Sequence, residues 1–327
     1  MKGWIVRELG KPNDVLKLET NLKEPKMDNN EVLIKVEAAA LNFFEILLCQ
    51  GKYQIKPSLP FTIGAEVSGT VIKTNNNSKF EVGERVLALP ELPKGGLVER
   101  VSVKEESVHP IPDSMPWEEA ASMFITYHTS YYALKKRANI KKGEVLLVHA
   151  GAGGVGSAAI QLGKASGAYV IATAGGEGKV KICKELGADI AINYLQEDFV
   201  KIVNRVTDGK GADVVYDPVG GQVFERSRKC IAFNGRILVI GFASDNIPSI
   251  PLNHILVKNY SVVGVHWGYY ANVSSHAVEK DHEELMKLYG EGKIKPLIYK
   301  NYEFTDVTNA LQLLAERKTW GKLVVKL

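Results

Sequence analysis

Three glycines, Gly151, Gly153 and Gly156, stand at G-x-G-x-x-G spacing in the run Gly151-Ala-Gly-Gly-Val-Gly156, with Gly154 and Val155 completing the turn. The apolar, strand-like run Val145–Val148 enters this turn, and a small-residue segment of helical pattern leaves it. In that context the spacing predicts a phosphate cradle. The first glycine permits a tight turn, the second lets backbone approach a pyrophosphate, and the third lets the new helix press on the sheet. The helix start then offers unpaired N–H groups and a positive dipole end. The chemistry implied is dinucleotide binding, and hence redox. The alternative is an ordinary strand-to-helix turn without a ligand. Against it stand Gly156, Ala159 and Gly163 at helical spacing and a second strand-like run, Ala168–Thr173.

The end of that second strand speaks to which dinucleotide. A site for a free ribose 2′-hydroxyl usually carries Asp or Glu there. Here the chain reads Thr173-Ala-Gly-Gly176, with Gly175 in the turn and no acid until Glu177, which leaves one ambiguity. Lys179 follows, and Tyr194 ends the next strand-like run, Ile190–Tyr194. A missing carboxylate with a lysine and a phenol nearby suits a 2′-phosphate, so NADPH is expected. A solvated lysine in a first helical turn is the other reading of Lys179.

The elements that must position these groups fall into two patterns. Residues 1–122 are β-rich, with short runs at 15–19, 31–37, 67–72 and 85–89 between Gly, Pro and Asn turns, and a short helix over 41–50. Residues 123–260 alternate strands and helices, with strands expected at 145–149, 169–173, 190–193, 214–217 and 236–240. That alternation predicts an α/β, doubly wound parallel sheet. Helices around 282–289 and 307–316 and a strand over 322–326 close the chain, so 261–327 is expected to rejoin 1–122. The cleft between the two domains is the expected ligand site.

Composition narrows the classes. The chain has 327 residues, 45% of them hydrophobic and 24% charged, with 41 Lys and Arg against 37 Asp and Glu. Charges of both signs are interspersed, and no basic block with interleaved aromatics argues for nucleic acid. Cys49, Cys183 and Cys230 are far apart and form no C-x-x-C pair, so neither a disulfide framework nor a zinc knuckle is expected, and a reducing, cytoplasmic compartment is the simplest reading. The N-terminus has charges and no long apolar core, so no secretory signal is expected. No apolar run is long enough to span a bilayer.

With these residues placed, the chain resembles the medium-chain dehydrogenase/reductase superfamily, and within it the zinc-free quinone oxidoreductases of the zeta-crystallin type. The likeness runs through Ala40–Leu48, Gln50–Tyr53, Pro60–Gly69, Val82–Val86, Thr126–Thr129, Ala150–Gly156, Asp217–Gly221 and Gly321–Val325. It implies a Rossmann domain inserted in a GroES-like catalytic domain, NADPH-dependent reduction, and usually a homodimer. By resemblance Asn42 and Thr129 lie beside the nicotinamide, Tyr53 at the substrate pocket, and Lys179 and Tyr194 at the 2′-phosphate. Gly241 and Phe242 form the loop over the nicotinamide, and Lys322 lies where the C-terminal segment approaches the cofactor.

Three departures from zinc-dependent relatives matter. Gly64-Ala65-Glu66 replaces a Gly-His-Glu motif, Asn42 lies where an upstream cysteine ligand is expected, and residues 90–105 lack the four cysteines of a structural lobe. Three protein ligands for a catalytic zinc cannot be assembled. A further difference is Glu45, which stands in place of the usual aspartate with its role open. Without a metal to polarise a carbonyl, the favoured acceptors are quinones and α,β-unsaturated carbonyls, whose reduced forms delocalise charge. Tyr53 is either the group that bonds the carbonyl oxygen or supplies a proton, or a packed tyrosine at the cleft edge. Asn42 either donates to that oxygen or to the cofactor ribose, or serves a turn. His128, His266 and Trp267 are candidates for the substrate pocket; the alternatives are core, surface or dimer contacts. Two other functions stay open: an enoyl or acryloyl-CoA-type or enone double-bond reductase, and a non-catalytic NADPH-binding protein, crystallin-like or RNA-binding.

Overall fold

The computed structural model describes residues 1–327. The chain divides into two compact units, Met1–Ile125 with Pro296–Leu327, and Thr126–Lys295.

The first unit is built on β-branched strands. Its main sheet runs in the order Ile298–Glu303, Lys322–Lys326, Glu31–Leu41, Glu66–Lys73, Arg85–Ala88, Val108–Pro110, and Arg100–Lys104 pairs with the first half of the long strand. A smaller three-stranded sheet holds Leu16–Glu19, Gly3–Val6 and Phe61–Thr62. Alternation puts Val32, Ile34, Val36, Val67, Val71, Val86, Val101 and Val103 into one core. The register matters for the site. Ala40 opposes Glu66 on one side of the long strand, and Leu41 opposes Leu323 on the other. The end of that strand therefore brings Asn42, Glu66 and Lys322 close together, although they are far apart in sequence.

The second unit is a six-stranded, all-parallel sheet in the order Ile190–Asn193, Tyr169–Ala174, Val145–Val148, Ala212–Asp217, Ile231–Val239, Ser261–Gly264. Numbered along the chain that is 3-2-1-4-5-6, the doubly wound order. Ligands bind such sheets at the carboxyl ends of the strands, where the order reverses. Here that point lies between Val145–Val148 and Ala212–Asp217.

One boundary differs from the sequence expectation. Residues 261–295 belong to the parallel-sheet unit, and the chain rejoins the first unit at Pro296 rather than at 261. The reason is a sixth strand: Ser261–Gly264 pairs in parallel with Arg236–Val239. With only four residues, Ser-Val-Val-Gly, it is too short to show a period. The helices that follow, Trp267–Val273 and Ser275–Gly290, stay with that unit.

Candidate active site

The glycine turn has the expected strand–turn–helix setting, with a different division of labour among its residues. The left-handed backbone of the turn is carried by Ala150, with φ of 50°, and not by Gly151. Gly151 is needed for space, since a Cβ there would lie 2.9 Å from Cys183 Sγ and 3.0 Å from Ile160 Cδ1. At Gly156 a Cβ would overlap the Ala150 carbonyl, and at Gly163 it would press into Leu146. The helix Gly154–Ala165 can lie against the sheet because these positions lack side chains. Gly153 is its N-cap, so the first N–H groups, including those of Gly154 and Val155, face out of the helix start.

The residues beside the turn are held by side-chain bonds. Ser130 donates to the Val155 carbonyl at 3.0 Å and shares a bond with the Tyr216 hydroxyl at 2.9 Å. This fixes the helix Phe124–Tyr131, and half-buried Thr129 with it, next to the glycine turn. Gly241 and Phe242 follow the strand Ile231–Val239. Their loop leans on the turn after Asp217 through Ala243 N to Pro218 O at 3.0 Å and Ser244 N to Val219 O at 2.9 Å.

Under the second strand, Tyr194 covers the Gly175 turn; a Cβ on Gly175 would lie 2.7 Å from the Tyr194 hydroxyl. Lys179 sits in the first turns of the helix Glu177–Glu185, and burial holds its amine below the usual lysine range. The acids nearby, Glu177 and Glu197, are both engaged: Glu197 Oε2 accepts from Asn193 N at 3.1 Å. Glu177 Oε1 accepts from Asn193 Nδ2 at 2.8 Å, while Asn193 Oδ1 accepts from Gly176 N at 3.0 Å. The cradle, the glycine-lined approach and the absence of an uncommitted carboxylate fit a phosphorylated dinucleotide.

His149, which the sequence reading did not single out, forms the floor beneath the turn. It is 1% exposed and bonds to Thr173 Oγ1 at 3.0 Å and Ser227 Oγ at 2.8 Å. Burial, aided by Arg226, pushes its pKa down to about 3, so the ring is neutral.

In the first unit Asn42 caps the helix Phe43–Cys49. Glu45 answers it: Oε2 accepts from Asn42 N at 2.9 Å, and Oε1 accepts from Gly64 N and Ala65 N at 2.9 and 2.8 Å. The longer arm left open in the sequence thus closes a capping box and anchors the Gly64-Ala65 loop. Burial pushes the Glu45 carboxyl up to about 7, against the pull of these donors and of Lys322. The Asn42 amide donates to Glu66 Oε1 at 3.0 Å and to Ala40 O at 3.3 Å. Lys322 Nζ donates to Leu41 O at 2.9 Å, and to Asn42 Oδ1 and Glu66 Oε1, each at 2.7 Å. Asn42 and Lys322 are therefore brought together, and all their side-chain N–H groups have acceptors inside the protein. Glu66 was quoted in the sequence only as part of an altered motif. Its position opposite Ala40 makes it the hub.

Tyr53 stacks on Phe44, ring centroids 5.1 Å apart. Burial alone raises its hydroxyl pKa. The pocket candidates in the second unit are placed differently from expectation. His128 is 1% exposed, its Nε2 lies 3.3 Å from His282 Nδ1, and Trp267 packs beside it, so both are core residues of that unit. His266 is exposed beside Tyr269. No cluster of three or more His, Cys, Asp or Glu side chains could hold a metal ion.

Two family models match. The alcohol dehydrogenase GroES-like domain covers residues 28–113, and the zinc-binding dehydrogenase model covers residues 154–287. Fold and site together define a medium-chain dehydrogenase/reductase. The chain is 37% identical over 321 residues to the quinone oxidoreductase-like protein 2 homolog of Nematostella vectensis, covering 97% of this chain and 87% of that one. It is 30% identical over 342 residues to the acryloyl-coenzyme A reductase of Sulfurisphaera tokodaii, covering 96% and 97%. Among solved structures, the quinone oxidoreductase of Pseudomonas syringae superposes with a TM-score of 0.92 at 32% identity, covering 100% of this chain and 99% of that one. The Escherichia coli quinone oxidoreductase complexed with NADPH superposes with a TM-score of 0.92 at 29% identity, covering 100% of both. The chain belongs to the quinone oxidoreductase family of the medium-chain dehydrogenases/reductases.

Proposed function

We propose that this chain is an NADPH-dependent oxidoreductase that reduces quinones or other activated α,β-unsaturated carbonyls without a catalytic metal. The observation that carries the acceptor class is the saturated cluster around Glu66. Every N–H of the Lys322 ammonium and of the Asn42 amide already has an acceptor in the protein. This cluster thus offers no free cationic or amide donor for a localised alkoxide, and acceptors whose added charge spreads over a ring or an enolate depend on such a donor least.

NADPH supplies the hydride when bound. The glycine turn and helix start would hold its pyrophosphate, and Lys179 and Tyr194 would take the 2′-phosphate. Within the second unit Thr129, Gly241 and Phe242 would contact the nicotinamide end; within the first, Asn42 would offer the remaining lone pair of Oδ1 as an acceptor. Tyr53 stays protonated through the neutral range, because burial raises its pKa. It donates a hydrogen bond to the acceptor oxygen as charge develops there. Hydride transfer to a panel of quinones, enones and CoA thioesters tests this reading. The acryloyl-CoA reductase relative favours a second one, reduction of a CoA-thioester double bond by the same hydride step.

The working form is a cytoplasmic homodimer. Supporting it, Ser261–Gly264 is an unpaired sheet edge, and the nearby helix Leu252–Lys258 exposes Leu252, Leu256 and Val257 at 76%, 79% and 76%. A second copy of the chain would cover such a patch. No helix is long and apolar enough to cross a membrane.

A further inference from the structure

Glu66 is fully buried, yet it meets donors from three separate stretches of chain. Its Oε1 accepts from Lys322 Nζ and Asn42 Nδ2, and its Oε2 accepts from the Ile125 backbone N–H at 2.7 Å, in the first turn of the helix Phe124–Tyr131. A carboxylate withdrawn from water needs pairing and hydrogen bonds to persist. Two of these bonds fall on residues read above as cofactor contacts, Asn42 and Lys322, and the third fixes the start of the helix Phe124–Tyr131.

The Asn42 amide is bracketed from both ends. Lys322 donates to Oδ1, while Nδ2 donates to Glu66 and to Ala40 O. Turning the amide over would set its NH2 against the Lys322 ammonium, donor against donor. Lys322 is itself held in place by the same Glu66 oxygen.

We propose that Glu66 is the positioning residue of the reduction site: it locks the Asn42 amide in one orientation through Lys322. The proposal rests on the reading of Asn42 as a nicotinamide-side residue. Glu66 has no exposed surface, so it acts through these groups and does not touch substrate.

Glu66→Gln tests it, studied where circular dichroism shows the variant folded. Whichever way the new amide turns, an N–H donor faces either Ile125 N–H or the Lys322 and Asn42 donors. Three quantities are compared with wild type: the Kd of NADPH, the emission of bound NADPH, which arises from the nicotinamide ring, and kcat with a quinone and an enone. The Kd is expected to stay within about threefold, because the pyrophosphate and 2′-phosphate are held elsewhere. The bound emission should move toward that of free NADPH, and kcat should fall about ten- to a hundredfold. Unchanged emission and kcat would overturn the proposal. So would a Kd weakened as much as kcat with the fold intact, since Glu66 would then support cofactor binding as a whole. If Glu66→Gln does not fold, the double variant Glu66→Gln/Lys322→Met removes both buried charges and carries the same expectations. A wild type inert toward every acceptor would defeat the proposed function, while the emission comparison would still decide the role of Glu66.

Discussion

Lys322 Nζ lies 2.7 Å from Glu66 Oε1, with the two side chains 5% and 0% exposed. The residues are joined because the final strand and the strand Glu66–Lys73 flank the same long strand, Glu31–Leu41. Breaking such a pair from one side leaves an uncompensated buried charge. Lys322→Met is therefore expected to cost about 3–5 kcal/mol of stability. The double variant Lys322→Met/Glu66→Gln should cost clearly less than the sum of the singles. Urea unfolding of the four proteins measures this, and additive losses would mean the pair is not coupled.

Lys179→Ala should reduce the preference for NADPH over NADH about ten- to a hundredfold, the worth of a charge-assisted hydrogen bond to phosphate. Titration of both cofactors checks it. An unchanged preference would remove Lys179 from the 2′-phosphate site and reopen the part played by Glu177.

Tyr53→Phe removes a hydroxyl that water can replace. With a single neutral hydrogen bond at stake, kcat/KM should fall about two- to tenfold. Because burial raises the Tyr53 pKa above its ordinary value near 10, the pH–rate profile between about pH 6 and 9 should keep its shape in the variant. A loss of a thousandfold or more, or a new limb in that range, would make Tyr53 an obligatory acid instead.

His149 is neutral in the fold, with a pKa of about 3 against about 6.5 when unfolded. Between these values the unfolded chain binds the proton and the native one does not. The stability His149 contributes is therefore present above pH 6.5 and is lost as pH falls toward 3, by at most about 1.4 kcal/mol per unit. In His149→Asn that part of the acid slope should disappear, as melting temperature against pH would show. An identical slope would mean that other groups set it.

Leu256→Glu places a charge in the exposed apolar patch of the helix Leu252–Lys258. If the chain pairs along its Ser261–Gly264 edge, the variant should sediment as a monomer where the wild type is a dimer, with the circular dichroism of both alike. Equal masses would remove this face from the interface.

Much of the fold was legible because its signals are local. The glycine turn announces itself through entry strand, spacing and exit helix, and the final strand, Lys322–Lys326, is legible to both ends. The sixth strand was not, because a four-residue edge strand lacks a period to detect. In the site, Asn42 and Lys322 were legible by resemblance, but their bond through Glu66 depends on strand register, which pairs Ala40 with Glu66 and Leu41 with Leu323. His128 shows the reverse. Its place beside Thr129 suggested a pocket, whereas tertiary packing against His282 and Trp267 buries it.

The most direct test is steady-state oxidation of NADPH by protein dialysed against a strong chelator, with 1,4-benzoquinone, 9,10-phenanthrenequinone, an enone, acryloyl-CoA and a simple ketone as acceptors. Turnover of the quinones or the enone, undiminished by chelation and far above that of the ketone, is the expected result. Turnover that disappears on chelation and returns with zinc, or that favours the simple ketone, would contradict it.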